Sequence, residues 1–241
     1  MKEKTRRAWG RFIGMAVFVT LLGSAVYAAI GAAAAPPGPL PAEAHGKLRS
    51  DYVLMLLECL VGLVVMFLPS MLERRLRIAI PGGMYVVFVV FLYAAIYLGE
   101  IRSFYYRIPN WDTILHAMSG VMLAALGFSI VSVLNDSEKV AVSLSPLFVA
   151  LFAFSFAVSL GALWEIYEFA ADGILGLNMQ KFALEGGAPL VGRAALEDTM
   201  GDLIVDSLAA LVVSAGGFAA MKAEKGWLAR VSIKRREGGA S

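Results

Sequence analysis

Residues 111–120 read WDTILHAMSG and run on into an apolar stretch that ends near Leu134. Positions four apart differ by about 40° around a helix, so Asp112 and His116 share one face. About 20 apolar residues suffice to cross a bilayer core as helix, and this segment is that long. An ionisable side chain at hydrocarbon depth costs on the order of 2.5–3.5 kcal/mol on insertion scales, so a carboxylate and an imidazole on one apolar helix need a reason to be there. Two further polar stretches answer the first: WEIYE at 164–168 and EDTMGDLIVD at 197–206.

The surrounding chain sets the fold class. Of 241 residues, 59% are hydrophobic and 17% charged, and the mean hydropathy is +0.72. This composition lies outside the range of soluble domains and predicts an all-α, polytopic membrane helix bundle. Windows of low charge give six spans, near 12–34, 52–72, 80–97, 113–134, 146–169 and 200–221, within a single integral membrane domain covering 1–241. The net charge of +2 gives no support to a nucleic-acid partner. The single cysteine, Cys59, leaves neither an intrachain disulfide nor a thiolate metal cage. Basic residues precede the first apolar run, which exceeds the 7–15 residues of a signal-peptide core and therefore reads as a spanning helix; the alternative is a secretory leader cut at Ala32 to Ala35, ahead of Pro36.

Lysine and arginine placement orients the bundle. The cluster Glu73, Arg74, Arg75, Leu76, Arg77 marks an inner loop, and Lys222, Lys225, Arg230, Lys234, Arg235 and Arg236 make a basic tail, so both termini are expected in the cytoplasm. Asn135 to Lys139 form a weakly charged inner loop, and Phe104, Tyr105, Tyr106 and Trp111 have the composition of an outer aromatic belt. Residues 172–197 form an outer loop of about 26 residues, against the usual 2–8 between helices, long enough for a lid, a re-entrant turn or a binding segment.

This topology brings the three polar stretches to the outer membrane level. Asp112 and His116 open the fourth span, Glu165 and Glu168 close the fifth, and Asp198, Asp202 and Asp206 form one stripe into the sixth. The stripe covers eight residues and therefore penetrates about 12 Å, which carries Asp206 into hydrocarbon depth. Glu58 and Glu100 fall at similar depth. So many anions are tenable only with bound cations, shared protons, or arginines such as Arg102, Arg107 and Arg193. Carboxylates with one imidazole suit a divalent ion such as Zn, Mn, Fe or Mg, assembled from inward-facing helical side chains.

Structural roles compete with this reading. Asp112 and Asp198 stand where helix caps stand, and Thr199 with Asp202 matches a capping-box analogue. Capping does not explain Asp206, two turns inside, nor Glu165 and Glu168, which oppose the macrodipole at a helix C-terminus. Ser119 offers a nucleophile, yet Ser119 and Gly120 read more simply as helix packing, as do Gly10, Gly14, Gly216 and Gly217. His45 belongs to the linker 36–50 and reads as solvated.

The residues Trp111, Asp112, His116, Ser119 and Gly120, with Trp164, Glu165, Glu168 and Phe169 and with Asp198, Thr199, Asp202 and Leu203, resemble the YjdF-like family of bacterial inner-membrane proteins, to which no biochemical activity is assigned. The similarity covers the second half closely and the first three spans in hydropathy only. It implies a multi-pass protein of the bacterial cytoplasmic membrane and supplies no substrate.

The leading functional expectation is a metal site at the outer face that hydrolyses a lipid or lipid-linked substrate, with Glu168 or Glu165 as general base. An ion- or proton-coupled transporter using the Asp198, Asp202, Asp206 stripe is the second. A structural membrane protein whose acids satisfy outer-loop arginines is the third.

Overall fold

In a computed structural model, the structure describes residues 2–35, 46–76, 78–135, 144–184, 187–224, 226–228 and 233–235. His45, Arg77, residues 136–139 of the expected inner loop and the tail residues Lys225, Arg230 and Arg236 lie outside them. The helices are α1 (Lys2–Ala34), α2 (Arg49–Val65), α3 (Leu68–Leu76), α4 (Gly82–Leu92), α5 (Phe104–Arg107), α6 (Trp111–Asn135), α7 (Pro146–Leu175) and α8 (Glu197–Ala223). A π-helical segment, Tyr93–Ile101, continues α4, and a 3₁₀ turn, Gly192–Ala195, precedes α8. Among the described residues six helical stretches are long and apolar enough to cross a membrane: Trp9–Ala34, Arg49–Arg75, Gly82–Ile101, Trp111–Leu134, Pro146–Leu175 and Glu197–Ala223.

Six stretches lie where six were expected, and two of them run longer: the fifth continues to Leu175, so Asp172 belongs to the helix and not to the outer loop, and Glu165 and Glu168 stand well before its C-terminus. The third was expected to stop near residue 97, yet the π-helical segment carries it to Ile101 and seats Glu100 inside the bundle, 5% exposed. Wide turns of this kind occur mostly in short pieces at functional sites. Nothing in the sequence of residues 93–101 announces it. The turn that follows places Ser103 at φ 58° and folds Tyr105 back over Gly99, where a Cβ would stand 2.5 Å from the Tyr105 ring.

Local chemistry fixes the ends of α7. Ser145 accepts a hydrogen bond from the Phe148 amide at 3.2 Å ahead of Pro146 at the first turn, a start signal on both counts. Gly176 stops the helix at φ 65°, its N–H donating to the Asp172 carbonyl at 2.9 Å. The start of α8 departs from the capping reading: Leu196 is its N-cap and supplies no side-chain bond, so Asp198 is free of that task.

Packing divides the bundle into two groups of three spans. In the first half Leu21, Cys59, Val89 and Ile96 form a common core, and Gly62 admits the Ile96 side chain. In the second half α6, α7 and α8 meet through Ala124, Ala157 and Ala210, all but fully buried. Gly127 lies against the Ala153 backbone and Gly217 against the Phe128 ring. Small residues at the crossings let backbones approach closely where lipid offers no hydrophobic drive between helices. Outward faces are apolar and exposed, as Val64, Phe169 and Val212 illustrate.

Gly10 and Gly14 of α1 face Tyr85 and Val86 at the start of α4. The only sheet among the described residues, an antiparallel pair of two-residue strands, β1 (Ile78–Ala79) and β2 (Lys234–Arg235), lies at the same end. That end holds the start of α1 and the strand β2. The loops 102–110 and 176–196 occupy the other, here the site end, as an even number of spans requires. A cysteine at Val191, 84% exposed in the site-end loop, is therefore expected to react with a membrane-impermeant thiol reagent only from the side opposite a C-terminal tag. The native Cys59 is buried and contributes little background.

Candidate metal site

The site grows from one face of α6. Asp112 Oδ1 stands 3.6 Å from His116 Nε2, one turn apart as their spacing requires. From α8, Asp202 Oδ2 approaches the same nitrogen at 3.7 Å. One ligand atom from each of Asp112, His116 and Asp202 lies within 4.8 Å of the other two. Two ligands at about 2.0–2.2 Å from a tetrahedral metal stand roughly 3.3–3.6 Å apart, so the two separations from His116 Nε2 are within a few tenths of an ångström of what a small divalent ion requires.

Asp206 occupies the opposite side of the imidazole. Its Oδ2 lies 3.3 Å from His116 Nδ1, and its Oδ1 accepts the Ser119 hydroxyl at 2.7 Å. A carboxylate on one ring nitrogen that leaves the other aimed at further acidic ligands is the orienting arrangement metal-binding histidines commonly use. Ser119, read as packing from the sequence, is thus also a hydrogen-bond donor to the deepest acid; its oxygen lies 2.9 Å from the His116 carbonyl as well. The bond to Asp206 is the shorter of the two.

Glycines make room for Asp206. A Cβ on Gly161 of α7 would stand 2.6 Å from Asp206 Oδ2, and one on Gly120 of α6 would stand 2.8 Å from the Asp206 carbonyl oxygen. The role of Gly161 is missed by reading the sequence for ionisable groups; its only signal is a place one turn before Glu165 on the same helix.

Glu165 is 4% exposed, and neither of its side-chain oxygens has a hydrogen-bond partner among the described residues. It feels the charges of His116, Asp112 and Asp206. The Thr199 hydroxyl, which accepts the Gln180 amide at 2.7 Å, also acts on it. Glu168 feels Glu165, Asp112 and His116, and Asp198 feels Asp112, Glu165 and His116. The structure thus brings Asp112, His116 and Asp202 together with Asp206 behind the ring, while Glu165, Glu168 and Asp198 lie near enough to act on them electrostatically. Three carboxyl groups face this one imidazole, at 3.6, 3.7 and 3.3 Å.

The expected arginines do not enter. Arg193 pairs with Glu197 at 3.7 Å on the surface, where both side chains are exposed, and Arg102 and Arg107 are exposed and make no ion pair among the described residues. Long guanidinium groups stay in water when their stems allow it. The buried cation is instead Lys181, whose Nζ stands 2.9 Å from Glu100 Oε2 and 4.7 Å above the Tyr105 ring. Burial alone would lower its pKa, but Glu100, then Tyr106 and Glu58, outweigh burial and hold the ammonium above its ordinary value.

The loop that delivers Lys181 is tied down, not loose. Asp172 accepts the amides of Met179 at 2.7 Å and Gln180 at 3.0 Å. Leu177 and Met179 bury against Leu54 and Ala171. Asn178 donates to the Ala183 carbonyl at 2.8 Å and to the Tyr106 hydroxyl at 3.0 Å, and Lys181 itself adopts φ 47°.

Against known proteins, residues 40–223 match the family described as "Predicted membrane protein (DUF2238)", and the chain belongs to that family. It is 34% identical over 123 residues to an uncharacterised protein of Thermotoga maritima, an alignment covering 49% of this chain and 52% of that one. The match thus takes in about half the length of this relative. No solved structure matches the chain.

Removing one member of a buried ion pair costs about 3–5 kcal/mol, because the other charge is left uncompensated. Lys181→Met is therefore expected to lower the thermal stability of the detergent-solubilised protein by an amount of that order, and Glu100→Gln added to it should recover part of the loss. Because the folded-state pKa of Lys181 is raised, its contribution is fully present below the ordinary lysine value of about 10.4 and declines only at higher pH. The deficit of Lys181→Met should accordingly be constant across the neutral range.

Proposed function

We propose that this chain is a membrane-embedded metalloprotein whose site, at the outer face of a bacterial cytoplasmic membrane, hydrolyses a lipid or lipid-linked substrate. The observation that carries the reading is the orientation of His116: Nδ1 directed to Asp206, Nε2 directed between Asp112 and Asp202. One imidazole and two carboxylates leave coordination positions open, as catalytic zinc sites do, and the same donors suit Mn, Fe or Mg. A divalent ion held there would supply Lewis-acid activation of a water.

The protein groups have defined tasks in this reading. Asp206, itself held by Ser119, fixes the imidazole so that Nε2 keeps its lone pair for the ion. Glu165, buried with both oxygens unpartnered, takes the proton from the attacking water, and Glu168, half-buried one turn further on, is the alternative base. Trp164 and Phe169 on either side are exposed on the outer surface of α7, which favours a substrate arriving laterally from the bilayer. The outer location rests on lysine and arginine placement.

The arrangement below the site favours this reading over transport. One turn inward of Asp206, Ala210 closes with Ala124 and Ala157 into a dry layer, and no ionisable side chain of α8 continues the stripe before Lys222 at the far end. An ion path would need polar groups there.

Metal analysis tests the proposal. The purified full-length protein, loaded with zinc or manganese and desalted, is expected to retain about one ion per chain, and His116→Ala and Asp202→Asn should lose it while keeping their helical content. Asp206→Asn should fold and bind about 10–100-fold more weakly, the usual cost of losing an orienting partner. A parent protein that retains no metal, or His116→Ala and Asp202→Asn variants that retain as much as the parent, would contradict the reading. A more stable Asp206→Asn variant with undiminished metal would remove Asp206 from the site.

A further inference from the structure

On the first-half bundle, away from the acidic locus, a cleft of about 590 Å³ opens between α1 and the π-helical segment at the site end. We propose that it holds the phosphate headgroup of an anionic lipid. Three cations, Lys47, Arg102 and Arg107, line it, and its described lining residues include no carboxylate. Arg102 and Arg107 make no ion pair among the described residues. Like charges drawn into one cleft repel, and an anion with several acceptor oxygens relieves that repulsion. A phosphate offers oxygens to both guanidinium groups at once and suits the planar fork of arginine.

The backbone is committed to the arrangement. Ser103, 2% exposed, adopts φ 58° and accepts Lys47 Nζ at 2.7 Å, so the linker lysine is anchored across the mouth of the cleft. A non-glycine residue in the left-handed region is uncommon, and such strain gathers where the surroundings enforce it.

A lipid fits better than a soluble phosphate because of what continues beneath the charges. Beside the charges the cleft is lined by Val19, Ile101 and the rings of Tyr27 and Tyr97, with the hydroxyls of Thr20 and Ser24 among them. A Cβ built on Gly23 meets no atom within 4 Å, so the α1 side is open at that turn. An acyl chain fills such a groove while the headgroup stays at the membrane surface, at the level of Arg102 and Arg107. Basic pockets between spanning helices are the usual form of headgroup recognition.

Native mass spectrometry of the full-length protein in a neutral detergent tests this independently of the metal. The parent is expected to retain dioleoyl phosphatidylglycerol in preference to dioleoyl phosphatidylcholine. Arg102→Gln with Arg107→Gln should weaken retention roughly thirtyfold, from about tenfold per 1.4 kcal/mol and about 1 kcal/mol for each basic residue. Gly23→Leu, whose Cβ has open space and which removes no charge, should weaken it comparably by filling the groove. Equal retention of the two lipids, or phosphatidylglycerol retention untouched by either change, would overturn the proposal. So would displacement of the lipid by an equimolar concentration of inorganic phosphate, which would make the cleft a site for soluble phosphate.

Discussion

A carboxylate 3% exposed at the junction of three spanning helices is the constraint on which the second half of this protein depends. Asp206 of α8 is too costly to leave unpaired in hydrocarbon, and its partners come from α6: the Ser119 hydroxyl at 2.7 Å and the His116 ring at 3.3 Å. The third helix contributes by absence, since only a residue without Cβ at Gly161 leaves the carboxylate its space. The contact that satisfies Asp206 is the one that turns Nε2 of His116 toward Asp112 and Asp202. Fold and site are thus held by the same bonds.

The first half solves a separate electrostatic problem. Glu100, drawn into the bundle by the π-helical segment, is met by a lysine from the long loop, and that loop is clamped to the end of α7 by two amides on Asp172. Lys181 is therefore committed to Glu100 and the tyrosines over it. Its charge reaches Glu168 and Asp198 at longer range, but no basic side chain among the described residues makes an ion pair with the carboxylates around His116. Bound cations or shared protons remain to balance these acids, and the metal proposed above is the first of these.

Much of this was legible from spacing and depth. The apolar windows located the six spans because bilayer thickness imposes their length, and the four-residue intervals placed Asp112 with His116 and Asp202 with Asp206. What spacing does not convey is which side of the imidazole each acid takes: Asp206 sits one turn deeper than Asp202 and reaches Nδ1 instead of Nε2, which only the crossing of α6 and α8 decides. Lys181 was hidden for another reason. Its loop position carries no periodicity, and it enters the bundle through a positive φ and hydrogen bonds to Asp172. The arginines expected in its place remain at the surface, where Arg102 and Arg107 shape a different cleft.

The chain has two histidines, so selective ¹⁵N labelling of histidine isolates His116 against a single companion, His45. The central claim is that the Nδ1 nitrogen is reserved for Asp206 and the Nε2 nitrogen for a ligand ion. On titration with zinc, the account predicts that the Nε2 resonance of His116 shifts while Nδ1 keeps its proton. Metal coordination through Nδ1, or two ring resonances indifferent to zinc, would contradict it.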